Sequence, residues 1–594
     1  MTQILRPTDT HGVHIDLGTV PADEEAEVRD LERYIADRDA GFLPEEDFRR
    51  IRLNNGIYGI RHQVDVHMVR VKFPGGVVRA AQLRVLAKVA AERSRGFGHI
   101  TTRQNVQFHL VALADVPTVM RWVASEGMTT REACGDTVRN VQADPLAGVW
   151  PGQPFDVTPW AEATFRHFLR NPAAQRLPRK FKINFSGDYN DWGQAAINCI
   201  GLIAVTHPET GELGFRVLVG GGLGTTPFEA QVLEDFTPQA WTIPTLEAIM
   251  RVFDREGERK NRNRSRLKWL IQKIGIDEFR AKVLAERTAV IAVSGVNPVV
   301  PAHVVACGAD RAPAKVAPGR KPDVVDPALA AWLRSNVVAT TDGAFAAFVT
   351  IPLGDITTAQ FLGLADIVED LADAGSNDAD LRFTNRQNLV FRGIDGDRLE
   401  ELWRRLDAIG FGGANAHAAA DPVSCPGADT CNLAITQSRG LAKAVREKLL
   451  REDLGDLPVK INVSGCSNSC GQHHLGEIGL FGTERRFHGT SAPGYQLMVG
   501  GGLGAEGVSF GMRVAKLAAR RAPDAVATLL AAYDSDRSPG QTFRAWAKSV
   551  GKDKLQALVA DHEGLETPDV EPEGYIDWDE TVPFAVDLGQ GECA

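Results

Sequence analysis

An α+β protein assembled from two related halves is the fold class this sequence predicts, and three observations lead there. A set of motifs recurs about 280 residues downstream; two copies are too few for a solenoid and suit a pseudo-two-fold molecule with a site between its halves. Within each copy, short alternating strands sit among amphipathic helices, the pattern of half-buried mixed sheets. The chain's 594 residues, 24% charged and 44% hydrophobic, suffice for several cores of ordinary globular composition.

Residues 1–50 lie outside the repeat, and the acidic stretch 24–39 reads as a surface helix with a solvated face. The first copy opens with an alternating strand at 67–73 and a helix over 79–93, whose Leu83, Leu86, Val89 and Ala90 share one face. A second strand, H-I-T-T-R-Q-N-V-Q-F at 99–108, recurs as R-F-T-N-R-Q-N-L-V-F at 382–391. After a long helix-containing stretch, K-I-N-F-S-G at 182–187 recurs 278 residues later as K-I-N-V-S-G at 460–465. V-G-G-G-L-G at 219–224 recurs 280 residues later at 499–504, and each Gly-rich turn is expected to open a helix. Phe73-Pro74 and Ala81-Gln82 match Ile351-Pro352 and Ala359-Gln360. Between the copies, 298–327 is rich in Pro, Ala and Val and reads as a linker.

Other classes are disfavoured. A net charge of −10 argues against general nucleic-acid binding. No apolar run reaches the length of a membrane helix. The opening M-T-Q-I-L-R-P lacks the basic and apolar regions of a secretory signal, so the cytoplasm is expected.

The most informative residues are four cysteines of the second copy. Cys425 and Cys431 form C-x5-C, and Cys466 and Cys470 lie in G-C-S-N-S-C. Four thiolates on two loops suit a metal or an iron–sulfur cluster rather than disulfides. The spacing fits neither structural zinc pairs nor C-x2-C-x2-C ferredoxin runs. Gly427, Gly465 and Gly471 let the backbone approach a bulky inorganic group. At the offset of 278, Cys466 matches Asp188, Cys470 matches Trp192, and Gly471-Gln472 matches Gly193-Gln194. Conversely, L-P-R-K-F-K at 177–182 faces only L-P-V-K at 457–460. One copy is equipped for metal and the other for extra positive charge, a division that suits reduction of an anion between them.

These motifs resemble the siroheme- and 4Fe-4S-containing sulfite and nitrite reductases, over nearly the whole chain from about residue 50. The resemblance implies that Cys425, Cys431, Cys466 and Cys470 hold the cluster and that Cys470 also bridges to the siroheme iron. It implies anion-binding roles for Arg103, Arg139, Lys180 and Lys182, and siroheme contacts from Arg386 and Lys460. Gln104 and Asn105, in the same motif as Arg103, are further expected cofactor contacts. It divides the chain into an extension (1–50), ferredoxin-like half-domains (51–135 and 328–418) and cofactor-binding domains (136–327 and 419–594). Its members with Lys at the position of Lys182 are sulfite reductases, whereas nitrite reductases typically have Asn. Six-electron reduction of sulfite to sulfide is therefore expected, with nitrite reduction to ammonia on the same cofactors as the alternative. No flavodoxin-like domain is present, so electrons are expected from a separate protein such as ferredoxin, delivered to a monomer. The charge requirement is physical: one cation about 4 Å from an anion contributes roughly 4 kcal/mol at an effective dielectric near 20.

Several features invite other readings. Taken singly, Arg and Lys at strand ends are most often solvated. Gly502 to Gly507 matches the dinucleotide fingerprint G-x-G-x-x-G, but the first copy has Pro227 at its last position. The basic run at 259–273 reads as a helix with a solvated face, a docking surface or a siroheme contact. Cys134 and Tyr58 are expected near the substrate pocket, Cys199, Cys307 and Cys593 as free thiols, and His473-His474 as surface or supporting residues. Cys431 is expected at the start of a helix over 432–452, whose N-terminus would favour its thiolate. A non-catalytic iron–sulfur or zinc protein would need neither the repeat nor the cationic motifs.

Overall fold

A computed structural model describes residues 12–312, 316, 319–372, 379–589 and 591–592. Cys593 lies outside them. Among the described residues the chain forms four five-stranded sheets, two of each kind, so the α+β class and the duplication hold.

The first kind is antiparallel. Its first copy pairs Ile57–Gly59, Val66–Val71, Val106–Ala112 and Phe97–Ile100; its second pairs Val337–Ala339, Phe345–Val349, Leu389–Ile394 and Asp380–Phe383. Each borrows its fifth strand from the other copy. Asp355–Thr357 pairs with Phe97–Ile100, and Val77–Val78 pairs with Asp380–Phe383. The helices that follow the borrowed strands, Ala80–Arg93 and Thr358–Asp370, pack together. Leu83, Leu86, Val89 and Ala90 are buried, as their spacing predicts. Both copies thus share one core, running from Val71 and Leu86 to Phe361 and Phe391.

The second kind of sheet begins with two parallel pairings and continues as an antiparallel meander. In the first copy the order runs Gln142–Ala143, Ile183–Ser186, Ile200–Thr206, Leu213–Val219, Gln231–Pro238; in the second, Val423–Ser424, Ile461–Ser464, Ile478–Phe487, Thr490–Val499, Met512–Ala518. The registers correspond: Gln142 faces Asn184 as Val423 faces Asn462. Each has its own apolar core.

Three expectations about elements need correction. The Gly-rich turns lead into strands, not helices, because a short antiparallel bridge (Gly222 with Phe228, Gly502 with Ser509) sends the chain back along the sheet. The strand–turn–helix setting that dinucleotide binding requires is therefore absent at Gly502. The run 259–273 is not one basic helix: a 3-10 turn at Arg262–Arg264 precedes a helix at Leu267–Ile274, and of its cations Lys268 is buried and Arg266 half-buried while the others are exposed. The helix expected from residue 432 starts at Ser438, seven residues beyond Cys431. Outside the repeat, helix Ala22–Asp39 buries Val28 and Leu31, while its Glu25 and Glu32 pair with Arg121. Among the described residues no helix is long and apolar enough to cross a membrane.

Candidate cofactor and anion site

The two copies meet in hydrogen bonds that repeat across the pseudo-dyad. Gln104 donates to Ala143 O and Phe383 O, and its Oε1 accepts from Ala143 N. Gln387 likewise donates to Ile100 O and accepts from Ser424 N. Thr102 Oγ1 donates to Cys470 O at 3.1 Å, and the corresponding Asn385 donates to Trp192 O. Gln104 is fully buried with its amide committed to backbone, so it brackets the halves together.

The four cysteines come from loops at one end of the second-copy sheet. Cys425 follows strand Val423–Ser424; its Sγ accepts from Gly465 N at 3.3 Å and lies 3.3 Å from Ser438 Oγ, at the start of helix Ser438–Arg451. The thiol beside a helix N-terminus is thus Cys425, not Cys431. Cys431 N donates to Gly427 O in the loop between them. Burial and then the neighbouring Cys470, Cys425 and Cys431 push the Cys466 thiol well above its usual range. Four thiols at mutual Coulomb range cannot all ionise without cationic charge among them. Yet among the described residues no three His, Cys, Asp or Glu side chains close on a point that would hold a single metal ion.

Close approach of backbone is built into these loops. A Cβ on Gly471 would lie 1.9 Å from Val463 O, and one on Gly193 in the first copy 2.0 Å from Phe185 O. Gly471 N donates to Ser464 Oγ and its carbonyl accepts from Asn462 Nδ2, as Gly193 does with Ser186 and Asn184.

In the first copy, cations gather beside strand Ile183–Ser186. Arg103 donates to Asn184 Oδ1 at 3.1 Å, Asn198 Oδ1 at 3.2 Å and Asn140 O at 2.5 Å, while its Nε is buried without a partner. Desolvation and the nearby Arg139 push Arg103 down to about 9. Desolvation, then Arg103, Arg266 and Lys180, hold Lys182 well below the ordinary lysine range. Arg139 is gripped by Gly135 O and Ala133 O, and its Nη2 donates to Tyr58 Oη at 3.4 Å. Tyr58 and Cys134 are buried together in a small apolar cluster. From the basic run at 259–273, one reading of which is a siroheme contact, Arg266 joins this set: its guanidinium packs over Gly222 and donates to Cys199 Sγ at 3.4 Å. Its neighbour Lys268 is pushed down to about 7 by desolvation and then by Arg266, and it donates to Leu223 O and Thr226 O.

The second copy contributes Arg386, which donates to Asp421 O and has a buried Nε without a partner. Lys460 sits 5.8 Å from the Trp192 ring and is pushed down to about 8 by desolvation and then by Arg386. His417 packs against Trp192 and Phe348 with both ring nitrogens buried and unpartnered; no sequence signal marked it. Asn105 is buried with its Oδ1 unpartnered. His473 and His474 are buried, and His474 Nε2 bonds Gly224 O at 2.8 Å, so neither is a surface residue. Depressed cations and orphaned donors contributed by both copies fit a large polyanionic group such as siroheme. The four thiols fit a 4Fe-4S cluster.

Comparison with known proteins agrees. The family described as nitrite and sulphite reductase 4Fe-4S domain matches residues 134–291 and 417–566. The nitrite/sulfite reductase ferredoxin-like half domain matches 60–124 and 339–409. A sulfite reductase (ferredoxin) of Mycobacterium tuberculosis is 32% identical over 82% of this chain and 83% of its own length. An assimilatory ferredoxin-dependent nitrite reductase of Haloferax mediterranei is 27% identical over 94% of this chain and 96% of its own. The solved structure of the Mycobacterium tuberculosis NirA protein superposes with a TM-score of 0.73 at 27% identity, covering 90% of this chain and 98% of that one.

Proposed function

The chain belongs to the nitrite and sulphite reductase family, and from that premise we propose that it reduces sulfite to sulfide with electrons from ferredoxin. The single observation that carries the choice of sulfite is Lys182, set among Arg103, Arg266 and Lys180. A fourth cation favours an anion that reaches a charge of −2 over the singly charged nitrite. Nitrite, reduced to ammonia at the same site, is the alternative reading, supported by the Haloferax relative.

In this reading Cys425, Cys431, Cys466 and Cys470 would hold the cluster, and Arg386, Lys460 and Asn105 would meet siroheme. When bound, these groups supply the electrons and the iron that takes the anion. The balance is HSO3⁻ + 6 e⁻ + 6 H⁺ → HS⁻ + 3 H2O, so protons must reach the departing oxygens. Arg103, Arg139, Lys180 and Lys182 bind and orient those oxygens. Lys182, whose proton is loosely held, is the donor best placed to give one up. Asn184, Asn198 and Asn140 fix the Arg103 guanidinium, so its charge needs no rearrangement on binding. The five-part division at 50, 135, 327 and 418, a cytoplasmic location and a monomeric state complete the proposal.

The test is steady-state kinetics of the purified protein with reduced ferredoxin and each anion, beside iron and tetrapyrrole content. We expect about four to five irons per chain and a higher kcat/KM for sulfite. Lys182→Asn should lower sulfite turnover at least about tenfold more than nitrite turnover, the factor that 1.4 kcal/mol corresponds to. Equal losses for both anions would remove the reason for choosing sulfite.

A further inference from the structure

At the pseudo-dyad two glutamines face each other. Gln194 Nε2 donates to Gln472 Oε1 at 2.9 Å, and Gln472 Nε2 donates to Gln194 Oε1 at 2.7 Å. They are equivalent residues 278 apart, both left-handed (φ near 60°), both just after the close-packed glycines of their loops. Such backbone costs energy for a residue with a Cβ, and it persists where the surroundings over-determine it. Here it aims two amides at one another and closes a reciprocal pair.

The pair sits within a longer chain of contacts. On one side, Gln472 follows Gly471 and Cys470, and its backbone N–H bonds Ser469 O. On the other, Gln194 O accepts from Asn198 Nδ2, and Asn198 Oδ1 accepts from Arg103 Nη1. The cysteine loop of one copy is therefore tied to the Arg103 guanidinium of the other through three side-chain amides. Across this junction, Thr102 Oγ1 to Cys470 O forms a second tie from the arginine's own turn.

We propose that Gln194 and Gln472 are a positioning pair that registers the Cys470 sulfur against the Arg103 guanidinium, so that an anion meets iron and cation in one fixed geometry. This rests on the cofactor assignment above. Neither amide touches substrate; each acts through the loop it holds. A misplacement of about 1 Å at such a site costs far more in turnover than in folding stability.

The test uses the full-length holoenzyme with Gln194→Met, Gln472→Met, the double variant and Gln472→Glu. Methionine keeps the side-chain length and removes the hydrogen bonds, while glutamate keeps an acceptor for the Gln194 amide. Low-temperature electron paramagnetic resonance of the reduced cluster and the visible tetrapyrrole bands are read beside kcat and KM. We expect each methionine variant to load cofactors, shift both spectra and lose about fivefold in kcat, with the double variant losing no more than one single. Gln472→Glu keeps one of the two hydrogen bonds but sets a carboxylate oxygen against Gln194 Oε1, so it should recover the spectra and the turnover only in part. Loaded variants with native spectra, or a double loss equal to the product of the singles, would overturn the pairing alone. If Gln472→Met fails to accumulate, Gln194→Met, on the loop without thiols, decides by the same spectra. A wild-type protein without iron and tetrapyrrole overturns the cofactor reading and this inference with it.

Discussion

Gly471→Ala tests the idea that close-packed backbone, as much as the thiols, builds the cluster site. The added methyl would sit 1.9 Å from Val463 O, about 1.1 Å inside the 3.0 Å approach that real Cβ atoms keep. The obstacle is backbone within strand Ile461–Ser464, so no side chain can swing away. Gly471 does not need a left-handed conformation, so the effect is contact alone. Relief must separate the 470–472 turn from the strand, breaking Gly471 N to Ser464 Oγ and Asn462 Nδ2 to Gly471 O. Overpacking costs about 1–3 kcal/mol and each hydrogen bond about 0.5–1.5, so the turn loses roughly 2–6 kcal/mol. Cys470 moves with it, out of register with Cys466. Iron analysis and the visible spectrum of the purified variant should show less than about a tenth of the wild-type cluster. Gly193→Ala makes the same clash, at 2.0 Å, on a loop without cysteines; it should retain iron and lose anion affinity instead. Gly413→Ala, with open space around it, serves as the control. Native iron content in Gly471→Ala would refute the reasoning.

Two further outcomes are expected. Lys182 has its proton affinity depressed by desolvation and by Arg103, so its positive charge is lost as pH rises through a value well below 10.5. The KM for nitrite, which does not titrate between about pH 7 and 10, should therefore rise with pH as that charge is lost, and Lys182→Asn should flatten the profile; a flat wild-type profile would contradict this. Glu592 is buried against Arg52 and accepts from Gly59 N at 2.6 Å, while the preceding segment bonds the Cys431 loop through Gly589 N to Asn432 O. Glu592→Gln should weaken that anchor by about 2–3 kcal/mol and speed proteolysis within 576–592, measured as cleavage rate at fixed protease; an unchanged rate would show that the anchor does not hold the segment.

The sequence carried the repeat because paired motifs keep their identities: the T-x-R-Q-N turns and the K-I-N-x-S-G strands recur and occupy equivalent places in the sheets. The exchanged strands were not legible. Val77–Val78 and Asp355–Thr357 are too short to carry a period, and their partners lie in the other copy. The Gly-rich turns misled because glycine signals a change of direction without saying whether strand or helix follows. Thiols announce themselves by type and spacing. His417 did not, since a lone histidine has no spacing to mark it and its setting arises from packing against Trp192; Arg266 stood out only as one of a basic run, and its packing over Gly222 is what singles it out. Gln194 and Gln472 were visible as a repeated pair, but only the fold shows that they touch.

Duplication explains why one chain can hold strongly opposed charges near its axis. Four thiolates need cations among them, and a cluster of Arg and Lys needs anions; either set alone raises the folding cost, as the displaced Cys466, Lys182 and Lys460 show. A single copy bearing both would pair them as ion pairs and cancel the field an anionic substrate requires. Two copies on a dyad keep all four thiols on the loops of one, while the other supplies Arg103, Arg139, Lys180, Lys182 and Arg266. The Gln194–Gln472 contact then fixes the distance between them without neutralising either.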